Sequence, residues 1–92
     1  MKAKLISYDL SKVSQVGKVQ VKRQLFGHTE YSNNAKYTYE RKGILSDIPY
    51  IKLARAVLIV RNQDVVRVEK VIKSVKGKYQ TFIVEVKSSV LH

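Results

Sequence analysis

The residues with the most obvious chemistry are tyrosines set beside cations. Tyr37 and Tyr39 stand two positions apart among Lys36, Arg41 and Lys42, and Tyr79 follows Lys78. A ring next to a fixed positive charge provides a stacking surface and a phosphate contact together. Single-stranded nucleic acid requires both: stacking contributes about 1–3 kcal/mol per base, and the cations track the backbone. Arg55, Lys70 and Lys73 extend the set of candidate contacts. The competing reading is that these tyrosines are ordinary strand formers, half-buried or packed in a dimer interface. Taken singly, each lysine reads as part of a solvated face. Their sum is more informative, because eighteen Lys and Arg against seven Asp and Glu give a net charge of +11. That exceeds the magnitude of about 2–8 which keeps a small domain in solution. The expected partner is therefore DNA or RNA, with no preference between them. The aromatic block of an RNA recognition motif is missing from the third strand, where Arg55 to Arg61 stands instead.

Catalytic chemistry has less to draw on. His28 and His92 are the only imidazoles, there is no Cys, and Gly17, Gly27, Gly43 and Gly77 are isolated, so neither a nucleophile dyad nor a phosphate-binding loop is present. No catalytic residue, metal ligand or cofactor is assigned, and binding is expected in preference to catalysis. His28 with Glu30 has the composition of an acid/base pair, but a solvated loop histidine fits the same residues. Asn33 or Asn34 reads either as a contact to a base edge or as a turn residue, and the turn is preferred. Over Leu5 to Ser14, a first strand ending in Tyr8-Asp9 and followed by a helix resembles the CRISPR-associated nuclease subunits of spacer acquisition. The resemblance implies that Asp9 shares a metal with its counterpart in a dimer. Asp9 as a turn residue is the alternative, and the remaining acids are scattered, whereas two-metal chemistry needs converging carboxylates.

These residues need a scaffold. Lys4 to Leu10 reads as a strand, and Ser11 to Phe26 as a helix that groups Lys12, Lys18, Lys22 and Arg23 on one arc and Leu10, Val13, Val16, Val21 and Leu25 on the other. Gly27 closes it, and His28 to Asn34 is expected to be a polar loop. A second strand is expected over Ala35 to Lys42, then a connection, Ile44 to Leu53, containing Pro49. Ala54 to Arg61 reads as a central strand, Asp64 to Lys76 as a helix stopped by Gly77, and Lys78 to Lys87 as the last strand, with Ser88 to His92 a tail. The order strand, helix, strand, strand, helix, strand predicts an α+β fold, a ferredoxin-like βαββαβ arrangement: a four-stranded antiparallel sheet with two helices packed on one face. With 92 residues, one basic domain over 1–92 is expected. Val57, Ile59 and Ile83 are expected on the open sheet face, where self-association into a homodimer would cover them. A structural or adaptor subunit using that face is the main alternative function, and a metal-dependent nuclease using Asp9 the third.

The lack of Cys suits a reducing compartment. Met1-Lys2-Ala3-Lys4 has no apolar h-region, and the longest purely apolar run is Ala56 to Val60. A cytoplasmic protein with no membrane association is expected, and the many Lys, Val and Tyr lean toward a thermophilic source.

Overall fold

A computed structural model describes residues 1–32 and 36–91. The chain is α+β: β1 (Lys2–Asp9), α1 (Gln15–Phe26), β2 (His28–Ser32), β3 (Tyr37–Arg41), a 3-10 turn (Ile44–Ser46), β4 (Tyr50–Ala54), β5 (Val57–Arg61), α2 (Val65–Ser74) and β6 (Lys78–Glu85). Four strands form an antiparallel sheet in the order β4-β5-β1-β6, while β2 and β3 pair only with each other.

Register decides which side chains are buried together. Ile6 lies opposite Leu58 and Lys4 opposite Val60, so Ile6, Leu58 and Val60 share a face. Val21 and Leu25 of α1 and Val65, Val68, Val71 and Ile72 of α2 close over that face, with Leu45 and Ile48 filling one flank. Both helices therefore lie on one side. On the other, Ala3 and Ile59 are buried beneath Leu91, with Leu5, Ile51 and Val84 packed around them. The C-terminal segment is thus no free tail: a turn from Lys87 to Val90 brings Leu91 back onto the sheet.

Several boundaries depart from expectation for local reasons. The first helix starts at Gln15, not Ser11, because the Asp9 carboxylate accepts the Ser11 N–H at 2.8 Å and turns the chain before Ser14 caps the helix through the Gly17 N–H at 3.1 Å. The shift leaves Val16, expected on the apolar side, 78% exposed. The expected polar loop after Gly27 contains a strand, and the expected second strand is that strand's hairpin partner instead of a member of the main sheet. The second strand of the main sheet is β4, inside the expected connection, where a bulge between Lys52 and Ala54 interrupts the alternation. Ile83 lies on the helix side of the sheet, opposite Lys4, and Ile59 is already covered; of the three residues expected to be available on the open face, only Val57 is partly exposed there. Asn33, Asn34, Ala35 and His92 lie outside the described residues. Among those described, no helix is long and apolar enough to cross a membrane.

Candidate nucleic-acid interface

The β2–β3 hairpin is rooted on the C-terminal end of α1 by two glycines. Gly27 takes a φ of 84°, open to glycine at little cost, and a Cβ there would collide with the Arg41 carbonyl. A Cβ on Gly43 would overlap the Leu25 carbonyl. The hairpin therefore leaves and re-enters the fold at one point, against the last turn of α1.

Pairing then sorts its side chains. His28 faces Arg41, Glu30 faces Tyr39 and Ser32 faces Tyr37, so these six residues share one face. Tyr37 and Tyr39 are adjacent there, each 49% exposed. The Lys36 ammonium lies 5.9 Å from the Tyr37 ring centre, and the Arg41 guanidinium 5.9 Å from that of Tyr39, both within cation–π range. Glu30 sits between: one carboxylate oxygen accepts from Arg41 Nε at 3.1 Å and the other is 3.1 Å from His28 Nε2. Arg41 first, then His28, holds the Glu30 carboxyl below its ordinary value.

His28 and Glu30 also form one wall of an open groove of ≈ 590 Å³ whose other wall is the outer surface of α1, including Val16, Val19, Gln20 and Arg23. The groove thus joins an apolar strip to Arg23, and the Tyr37 and Tyr39 rings stand on the hairpin face that carries His28 and Glu30, beside its lining. Arg23, Val16 and Val19 were not among the site residues expected from sequence. They face outward because Gly17, Val21 and Leu25 are the residues α1 buries, which leaves Val16, Val19 and Arg23 exposed.

The other expected contacts are elsewhere. Lys36, Tyr37, Tyr39, Arg41 and Lys42 all belong to the hairpin, at the C-terminal end of α1. Arg55 is in the β4–β5 turn and Lys78 pairs with Asp9, both at the end of the sheet where β1 finishes. Tyr79 is committed internally: its hydroxyl donates to Glu69 at 3.1 Å, and the Lys73 ammonium covers its ring at 5.8 Å. Lys70 and Lys73 are exposed on α2. Asp9 lines an open cleft with Tyr8, Lys78 and Tyr79. Its carboxyl is held low chiefly by the Ser11 backbone N–H, with Lys78 and Lys12 adding to the effect. Among the described residues, no group of three or more His, Cys, Asp or Glu stands close enough to hold a metal ion.

Charge is left available. Of the eighteen Lys and Arg, only Arg41 and Arg61 meet a carboxylate within 4.0 Å among the described residues. No protein-family model matches the chain, and no curated protein or solved structure matches it either.

Proposed function

We propose that this chain is a small cytoplasmic nucleic-acid-binding domain that holds a single strand, DNA or RNA, on the tyrosine face of the β2–β3 hairpin, beside its groove with α1. The observation that carries this reading is the pair of adjacent exposed tyrosines, each with a cation over its ring, in a protein where, among the described residues, only Arg41 and Arg61 of the Lys and Arg meet a carboxylate. Bases stack on Tyr37 and Tyr39, and Arg23, Lys36 and Lys42 meet phosphates. The exposed rings favour an unpaired strand, whose bases can turn toward them, over a duplex whose bases are already stacked. The scaffold reads as ferredoxin-like with an inserted hairpin. In support, the four strands of the main sheet, counted along the chain without β2 and β3, lie side by side as second, third, first and fourth.

Fluorescence anisotropy with labelled single-stranded and duplex oligonucleotides tests the proposal. Three neutralised phosphates at about 0.7 each set a slope of log K against log salt near −2, a loss of about twentyfold in affinity between 50 and 200 mM salt. Absence of binding at low salt, or tighter binding of duplex than of single strand, would overturn it.

A further inference from the structure

The main sheet has two edges, and only one is protected. The β4 edge is five residues long, carries Lys52 at its centre, follows Pro49 and is broken by a bulge, each a device that discourages strand addition. The β6 edge is eight residues long, has no bulge, and runs without a charge from Tyr79 to Val84. Phe82 and Ile83, on opposite faces of this edge, are 52% and 65% exposed.

Hydrogen bonding shows which backbone groups are free. The Val86 N–H donates to the Met1 carbonyl at 2.9 Å, and the Val86 carbonyl accepts from the Met1 ammonium at 2.6 Å. On the other flank of β1 the Tyr8 N–H donates to the Ala56 carbonyl at 3.0 Å. Antiparallel alternation then directs the N–H and C=O of residues 80, 82 and 84 toward β1 and those of Tyr79, Thr81, Ile83 and Glu85 outward.

We propose that β6 pairs with β6 of a second copy, antiparallel about a two-fold axis at Phe82, joining two four-stranded sheets into one of eight. A second copy fits because the edge is self-complementary. A two-fold normal to the sheet preserves its faces, so facing residue numbers must have an even sum. With a sum of 164, Thr81 faces Ile83 and Tyr79 faces Glu85, and every outward group is paired. Phe82 then meets its own counterpart at a non-hydrogen-bonded position, where side chains are closest. The same register brings Glu85, whose side chain is 71% exposed, to the Tyr79 ring that carries Lys73, matching opposite charges across the contact. The surface that joins the copies thus carries no net charge, Lys78 balancing Glu85, in a strongly basic chain. This pairing is independent of the nucleic-acid reading, since its residues lie outside the hairpin groove.

The test uses sedimentation, cysteine cross-linking and amide exchange on the full chain. Wild type is expected to shift with concentration toward twice its 10.6 kDa mass, with the Thr81 and Ile83 amides gaining protection. Ile83→Lys, at an exposed position, raises the dimer dissociation constant at least tenfold while leaving the circular dichroism spectrum unchanged. Phe82→Cys, which introduces the only thiol into a chain without cysteine, oxidises to a covalent dimer. Gln80→Cys does not, because its counterpart lies four residues along the strand, about 13 Å away. A chain that stays monomeric at all concentrations overturns the proposal. So does a dimer that is indifferent to Ile83→Lys and in which the Phe82→Cys variant fails to cross-link, an outcome that would place the contact on the Leu91 face.

Discussion

Replacing Tyr37 and Tyr39 separates stacking from charge. Both rings lie on an exposed hairpin face outside the buried cluster, so Tyr37→Ala and Tyr39→Ala should change folding stability by no more than about 0.5 kcal/mol. If a base stacks on each ring, either substitution removes about 1–3 kcal/mol of binding, a loss of roughly 5- to 150-fold. Neither changes the number of cations, so the salt slope stays where it was. Tyr37→Phe, which keeps the ring and loses only the hydroxyl, binds as wild type. Lys36→Gln does the reverse: it flattens the slope by about 0.7, and at 0.1 M salt it costs about fivefold. Lys70→Gln and Lys73→Gln on α2 leave both parameters unchanged. Anisotropy titrations of a single-stranded oligonucleotide at four salt concentrations give slope and intercept for each variant. The assignment fails if the tyrosine variants bind within twofold of wild type, or if the α2 lysines carry the slope.

Three further perturbations test other parts of the structure. Glu30→Gln removes a negative charge from beside Arg41 and should steepen the slope by about 0.7, tightening binding about fivefold at 0.1 M salt. Because Arg41 and His28 lower the Glu30 carboxyl, the clamp contributes in full above the ordinary glutamate value of about 4.3 and is lost as pH falls through the lowered one. Hairpin amide protection should follow that titration in wild type and not in Glu30→Gln. Lys76, just beyond the end of α2, has a φ of 59°, a conformation that disfavours a side chain, and Lys76→Gly should raise stability by about 0.5–1 kcal/mol in denaturant unfolding. Leu91→Ala, at a residue only 2% exposed, should lower it by about 2–3 kcal/mol, whereas the exposed Val90 should tolerate alanine.

How much of this was legible in the sequence depends on whether a segment has one wet face and one dry. Helix α2 does: Val65, Val68, Val71 and Ile72 recur at helical spacing and all are buried, so its position was clear to within two residues at either end. Strand β2, His-Thr-Glu-Tyr-Ser, has no fully buried residue on either face. Burial therefore imposed no period on it, and it read as loop. The same reason hid the groove, since pairing Tyr37 with Ser32 and Tyr39 with Glu30 is decided by hairpin register and not by hydrophobicity. Two adjacent asparagines between polar, Tyr- and Thr-containing segments were the available signal. Strand β4 was obscured by Pro49 and by its bulge, and Leu91 by belonging to an isolated Val-Leu pair after two serines. The tyrosine–cation neighbourhood was visible because it is local in sequence. The nearness of Arg23 to His28 and Glu30 was not, because it depends on how the hairpin sits against α1.

The root of the hairpin should couple fold and site in a way that the tyrosines do not. Gly43 has an unstrained φ of −84°, so its requirement is space, not conformation. A methyl group there would overlap the Leu25 carbonyl and approach the Gly27 nitrogen, and both are backbone atoms that cannot rotate aside. Leu25 is itself fully buried, so relieving the overlap means lifting the hairpin base off α1 or disturbing the core. Overpacking of this kind costs about 1–3 kcal/mol, a fall in melting temperature of about 4–8 °C per kcal/mol for a chain of this size. Because lifting the base widens the groove without removing a cation, Gly43→Ala should weaken oligonucleotide binding at an unchanged salt slope while also lowering the melting temperature. Tyr39→Ala should weaken binding alone. A Gly43→Ala protein that melts with wild type would show that the hairpin is not seated on Leu25, and the groove would lose the wall that sets His28 and Glu30 against Arg23.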